Sequence, residues 1–133
     1  GLAKGQFVLG DNSVIGIICD VSSGIACIRL ITDPASKMAV KIADGGGIME
    51  GSGDNTASVQ LLAKWKVKTG DGVTAAPKPG FLDVPMIAGR VSQYSRSGEN
   101  PLLWEVTVKP ACNIEALDKV AVIITGADEQ LNM

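Results

Sequence analysis

The strongest hydrophobic pattern in the chain lies in residues 14–34. Val14-Ile15-Gly16-Ile17-Ile18-Cys19-Asp20-Val21 and Ile25-Ala26-Cys27-Ile28-Arg29-Leu30-Ile31 are two β-branched runs separated by Ser22-Ser23-Gly24. A three-residue loop ending in Gly lets the last loop position take φ > 0, so the twist of the two strands continues through the turn. The expected hairpin sets Val21 opposite Ile25, Cys19 opposite Cys27, Ile17 opposite Arg29 and Ile15 opposite Ile31. The other face carries Val14, Gly16, Ile18, Ala26, Ile28 and Leu30. Both faces are largely apolar, which predicts a hairpin covered on both sides. A small barrel with something packed outside it meets that need; a single open sheet facing water does not.

Shorter patterns extend the picture in both directions. Phe7-Val8-Leu9 predicts a first strand and Gly10-Asp11-Asn12-Ser13 a turn. Thr32-Asp33-Pro34-Ala35-Ser36 ends the hairpin, because proline fixes its own φ and pushes the residue before it towards an extended conformation. The Asp33 carboxylate is placed to accept a backbone N–H two residues on. Residues 38–42 and 57–62 alternate cleanly and predict strands; Gly45-Gly46-Gly47 and Gly51-Ser52-Gly53 predict tight connections between short strands. Over 64–68 the period of two sets three lysines on one solvated face, with Trp65 and Val67 turned inward. Gly70-Asp71-Gly72 is a turn leading into Val73-Thr74. Three prolines make 74–85 a long extended loop. Residues 86–93 predict a strand and 95–101 a polar loop. In 102–109, Leu102, Trp104, Val106 and Val108 share one face, opposite Leu103, Glu105, Thr107 and Lys109. Asn113 is expected to cap a single helical turn over 114–117. Residues 120–125, apolar nearly throughout, predict a central last strand, and 128–133 a frayed polar tail. The expected fold class is therefore all-β: small six-stranded-type β-barrels, two packed together, with one short helical turn near the C-terminus.

Composition narrows the chemistry more than the fold. With 133 residues the chain is one domain or two very small ones packed together. Hydrophobic residues make up 46% but aromatics only 4%, so the core has to be aliphatic. The net charge of −2 offers none of the basic excess that nucleic acid binding requires. No apolar run reaches the roughly 18–20 residues that span a bilayer, and no signal-peptide pattern is present, so this stretch by itself is expected to be soluble even if cut from a longer anchored protein. Cys19, Cys27 and Cys112 are an odd set, which argues against a disulfide framework. Cys19 and Cys27, opposed in the expected register, are either small buried hydrophobes or, in an oxidising compartment, a cross-strand disulfide.

There is no histidine, which excludes a Ser-His-Asp or Cys-His relay and His-bearing zinc sites; Ser-x-x-Lys is also missing. The glycine clusters match neither phosphate-cradling pattern. Asp33 has no second carboxylate nearby in sequence with which to form a metal or acid–base site. No catalytic, cofactor-binding or metal-ligating residue is assigned, and no cofactor. The apolar pair Phe81-Leu82 in the 74–85 loop is either a recognition element or a flap folded over an open barrel end.

Taken in order, several segments resemble the extracytoplasmic domain of the rod shape-determining MreC family. Gly1-Leu2-Ala3-Lys4-Gly5-Gln6 is similar to its approach to a strand, and Gly16 occupies its Val-Gly-x-Val position. Leu30-Ile31-Thr32-Asp33-Pro34-Ala35-Ser36 matches its Leu-Thr-Asp-Pro-x-Ser segment, the most specific of the set. Gly47-Ile48-Met49-Glu50-Gly51, Val67-Lys68-Thr69-Gly70-Asp71-Gly72-Val73 and Pro85-Met86-Ile87-Ala88-Gly89-Arg90-Val91 resemble three further strands and turns. Val106-Thr107-Val108-Lys109-Pro110-Ala111, with Leu117 and Val120, resembles the closing segment. Two departures stand out. Thr74-Ala75-Ala76 and a longer proline-rich loop replace the family's short Thr-Ser-Gly to Phe-Pro-x-Gly connection. The family usually has a strand before the point where this sequence begins, so a barrel built from it is expected to be incomplete or closed differently.

The resemblance implies one MreC-like β-domain over 1–133, with two interleaved barrels and internal boundaries near 32–37 and 73–86. It implies a non-enzymatic scaffold of cell-wall elongation that binds the elongation transpeptidase, a penicillin-binding protein. Such a scaffold self-associates and works with MreD, RodA and MreB in the full-length complex. It lies on the extracytoplasmic side of the bacterial membrane and is held there only through an N-terminal anchor that this sequence lacks. The divergent loop and the strand after it, Phe81, Leu82, Met86 and Ile87, are the expected partner-binding residues. Two other classes compete. A chymotrypsin-like hydrolase shares the barrel but is excluded by the missing histidine. A small-ligand or carbohydrate-binding β-module wants exposed aromatics, whereas alternation turns Trp65 and Trp104 inward; a pocket lined by those tryptophans would favour it.

Overall fold

The computed structural model describes residues 2–124, and the expected tail at 128–133 lies outside them. The elements are β1 (Phe7–Gly10), β2 (Ser13–Ser22), β3 (Ile25–Leu30), β4 (Lys37–Ile42), β5 (Gly45–Gly51), β6 (Ala57–Leu62), β7 (Gly72–Ala75), β8 (Met86–Arg96), β9 (Leu103–Pro110), a 3-10 turn (Ile114–Ala116) and β10 (Ala121–Val122). Strands β4-β5-β6-β9-β8-β7 close into a six-stranded barrel. The second unit is a four-stranded sheet in the order β10-β1-β2-β3. All pairings are antiparallel; short connections require this of the sequential pairs, and β4–β7, β6–β9 and β1–β10 close the sheets between strands distant in the chain.

Local chemistry explains the turns. Between β1 and β2, Asp11 and Asn12 both take left-handed φ, 49° and 63°, the pair of values that a tight two-residue hairpin turn demands and that Asp and Asn tolerate best. Ser13 Oγ donates to the Gly10 carbonyl across that turn at 2.8 Å. At the end of the β2–β3 hairpin, Asp33 Oδ1 accepts the Ala35 N–H at 2.7 Å, the expected two-residue carboxylate turn.

The β2–β3 register differs from the expected one. Ser22 faces Ile25 and Asp20 faces Cys27, leaving only Ser23-Gly24 in the turn. A bulge between Ile18 and Asp20 restores Ile17 opposite Arg29. The shorter turn and the bulge cancel, so apolar alternation alone could not reveal either. Cys19 thus falls on the bulge, its thiol donating to the Cys27 carbonyl at 3.4 Å, and the three thiols are free. Cys27 is exposed rather than a core residue. Coverage of the hairpin is also partial. Its base lies between the barrel and a small outer cluster of Val8, Ile15 and Ile18 packed against Ile114, Leu117 and Val122. The tip projects, with Val21 and Ile25 exposed.

Several other boundaries shift. Gly45-Gly46-Gly47 lies within β5, and the preceding connection is Ala43-Asp44, with Ala43 at φ 52°. Ser95 and Arg96 extend β8 into the expected polar loop. Residues 64–68 are irregular, yet Lys64, Lys66 and Lys68 remain exposed while Val67 is buried and Trp65 half-buried. Asn113 sits at the start of the 3-10 turn without a side-chain capping bond. The last apolar segment forms only the two-residue β10, at the edge of its sheet rather than the centre, because β1 already has β2 on its other side.

The barrel interior is aliphatic. Alternate residues of β4, β6 and β9 point inward, and Met38, Val40, Ile42, Val59, Leu61, Val106 and Val108 are buried. Phe7 and Val14 of the open sheet, and Ile31 just beyond β3, join the same cluster, so the two units share one core. At their junction the chain crosses itself closely. A Cβ added to Gly51 would collide with the Asp33 carbonyl oxygen, and the neighbouring Gly53 N–H donates to the Thr32 carbonyl at 2.8 Å. In the same strand, a Cβ at Gly46 would meet nothing closer than the Val40 oxygen at 3.8 Å. Gly51→Ala should therefore cost about 1–3 kcal/mol through forced overpacking. Gly46→Ala should be neutral or gain about 0.5 kcal/mol, since glycine is the weaker strand residue. Urea unfolding of both variants checks the pair; equal losses would contradict the packing described.

Candidate functional site

No catalytic constellation assembles among the described residues, and no group of three Cys, Asp or Glu side chains there is arranged to hold a metal ion. What the fold presents is contact surface, in three regions.

The first is the 76–87 connection between two neighbouring barrel strands. Lys78 and Leu82 form a closed turn: the Lys78 N–H donates to the Leu82 carbonyl and the Leu82 N–H to the Lys78 carbonyl, both at 2.8 Å. Gly80 takes φ 85° at its apex. Leu82 is 1% exposed and belongs to the core, so its side chain anchors the loop rather than facing outward. Phe81 is half-buried; its ring lies against the backbone at Gly5 and the Lys78 ammonium sits 5.0 Å over it. Met86 and Ile87 are half-buried on β8, paired with Ala75 and Thr74. Of the four residues expected at a partner site, Phe81 and Leu82 thus lie in the loop and Met86 and Ile87 on the strand that follows it. Phe81, Met86 and Ile87 offer surface, and Val84 beside them is 60% exposed. Of the two expectations for the loop, the structure shows the fold-back: Leu82 turns into the barrel and Phe81 packs at the N-terminal segment beside Gly5.

The second region is the projecting β2–β3 tip. The third was not foreseen. Trp65 and Trp104 do turn towards the core, but both stop at one end of the barrel, where they meet Tyr94. Trp104 Nε1 donates to the Trp65 carbonyl at 3.1 Å. Tyr94 stands edge-on to Trp104 with centroids 5.4 Å apart. Arg96, opposite Trp104 across β8 and β9, places its guanidinium 4.5 Å from that ring, and the Lys64 ammonium lies 5.0 Å over Trp65. Between them is an open hollow of about 540 Å³ whose walls include Lys66, Lys68 and Asp71. Tyr94 and Arg96 gave no signal in the sequence because 95–96 read as loop; extending the strand by those residues brings them to Trp104.

A closed aliphatic barrel fused to a small four-stranded sheet defines an all-β barrel domain. Residues 1–124 match the family described as "Rod shape-determining protein MreC, barrel core", and the chain belongs to that family. No curated protein matches the sequence. Solved structures share the fold. MreC from Listeria monocytogenes has a TM-score of 0.80 at 20% identity, covering 93% of this chain and 62% of that one. The major periplasmic domain of the cell shape-determining filament MreC has a TM-score of 0.70 at 24% identity, covering 92% and 80%. A complex between penicillin-binding protein PBP2 and MreC from Helicobacter pylori contains a chain with a TM-score of 0.72 at 17% identity, covering 92% and 80%. This chain therefore spans about three fifths of the length of the Listeria chain.

The burial contrast within the first region gives a direct check. Leu82→Ala should destabilise the domain by about 2–5 kcal/mol as a core truncation. Val84→Ala, two residues on, should stay within about 0.5 kcal/mol. Urea midpoints that moved equally would place Leu82 outside the core.

Proposed function

We propose that this chain is the extracytoplasmic β-domain, residues 1–133, of a non-enzymatic scaffold in the cell-wall elongation machinery that maintains bacterial rod shape. Its principal partner is the elongation transpeptidase, a penicillin-binding protein. In the full-length complex it works with MreD, RodA and MreB, and it reaches the membrane only through an N-terminal anchor. The observation that carries this reading is the family match over residues 1–124. The fold it shares with an MreC bound to PBP2 supports the partner, and the fold it shares with a periplasmic domain supports the location. Self-association is supported by the filament in which that periplasmic domain's parent takes part. A scaffold also suits a domain whose buried groups are nearly all aliphatic and whose apolar side chains reach the surface at the hairpin tip and beside Phe81.

The partner contact is assigned to Phe81, Met86 and Ile87, with Leu82 setting the turn that presents them. Calorimetric titration with the extracytoplasmic region of the transpeptidase from the same organism tests both parts. Saturable heat is expected from the unaltered chain. A Phe81→Ala/Met86→Ala variant that remains folded should bind at least about tenfold more weakly, a loss of about 1.4 kcal/mol. Unchanged affinity would move the contact away from this region, and no heat from the unaltered domain would remove the transpeptidase as its direct partner.

A further inference from the structure

We propose that the aromatic hollow at the end of the barrel is a binding site for an acidic saccharide, with Trp65, Tyr94 and Trp104 as its apolar wall and Lys66 and Lys68 as its anion-binding rim. This inference is independent of the scaffold reading, since it uses none of the residues assigned to the protein partner.

Burial alone does not require this arrangement. The chain has five aromatic residues, and three of them converge on one open hollow while the barrel interior is filled by aliphatic side chains. Tyr94 remains 38% exposed beside the hollow. The volume of about 540 Å³ falls within the roughly 300–1,000 Å³ usual for small-ligand sites. An aromatic wall suits the C–H-rich face of a pyranose ring, and a tyrosine hydroxyl at the edge can exchange hydrogen bonds with sugar hydroxyls.

Charge sets the subclass. Lys64 and Arg96 are already held over the two indole rings, and Arg96 Nη1 also donates to the Pro101 carbonyl at 2.7 Å. Lys66 and Lys68 project from the wall. Four cations thus gather at one end of a chain whose net charge is −2. Asp71, the carboxylate in the wall, is turned to its own loop, where Oδ2 accepts the Lys68 N–H at 2.9 Å. A carboxylate-bearing sugar therefore gains where a neutral one does not.

Two other anionic ligands fit less well. An extended acidic peptide takes much of its affinity from main-chain pairing with a free strand edge. At Trp104, β9 is paired on both sides, with Leu61 of β6 and Arg96 of β8, and the edges left open there are short: Gln60–Leu62 of β6 and Gln93–Arg96 of β8, each paired with β9 alone. A polynucleotide needs a track of phosphate contacts, and the overall charge supplies no basic surface leading away from this cluster.

Both tryptophans of the chain line this one hollow, so intrinsic fluorescence reports on it directly. The test titrates the whole chain with trigalacturonate, with the neutral galactose trimer, and with a glutamate-rich peptide. Trigalacturonate should give a saturable change in tryptophan emission, with affinity at least about tenfold above the neutral trimer. A Lys66→Glu/Lys68→Glu variant, altered only at exposed positions and checked by its unfolding midpoint, should abolish that preference while keeping both fluorophores. A Tyr94→Ala variant should weaken both sugars. The proposal is overturned if no sugar changes the emission up to about 10 mM, if neutral and acidic trimers bind alike, if the charge-reversed variant keeps the preference, or if the peptide binds more tightly than the acidic sugar.

Discussion

The close crossing at Asp33 and Gly51 is the contact on which the architecture depends. The chain leaves the open sheet through Thr32-Asp33-Pro34 and enters the barrel at β4, and that exit has to pass directly over the end of β5. Only a residue without a Cβ leaves room for the Asp33 carbonyl there. The Asp33 side chain and the proline hold the exit in a fixed turn, and the Gly53 N–H closes it from the barrel side. With the crossing fixed, Phe7, Val14 and Ile31 are pressed against the barrel and the two units share one core. The segment most specific to the family is therefore the hinge between its two parts, a geometric role that needs no chemistry of its own.

A six-stranded barrel this small has little interior, and that limit shapes the surface as well. Val, Ile, Leu, Met and Ala fill the inside at low exposure. Indole rings do not fit among them, so Trp65 and Trp104 stop at the barrel end, where they cover the interior on one side and meet solvent on the other. The Trp104 N–H finds the Trp65 carbonyl, as a partly buried indole requires. Cations from β8 and the 64–68 segment settle over the rings. The same constraint that keeps the core aliphatic sends both indoles to the barrel end, where Tyr94 and the cations join them.

Much of this was legible in the chain. Clean alternation located β4, β6 and β9 to within a residue, because one face of each is dry and the other wet, and period two is the direct imprint of that asymmetry. The Asp11-Asn12 and Asp33-Pro34 turns could be read because their side chains impose the backbone. Strands made of glycine could not: Gly45-Gly46-Gly47 looks like a turn until Trp65 and β6 are seen to need the bare surface at Gly45 and Gly47. Leu82 and Phe81, adjacent and both apolar, divide between core and junction. Nothing in two consecutive hydrophobic residues of an irregular loop says which one turns inward.

By itself the sequence determined an all-β fold, the order of its strands, an aliphatic core, the exclusion of histidine chemistry and the family. Each of these follows from composition, local periodicity or the order of short motifs along the chain. Tertiary structure decided the β2–β3 register, where a two-residue turn and a bulge offset each other. It also decided the edge position of β10, the exposure of Cys27 and Ile25, and the meeting of Trp65, Tyr94, Arg96 and Trp104. These depend on which distant strands become neighbours. That choice is made by barrel closure, which weighs the packing of the whole interior at once and leaves no mark in any single stretch of chain.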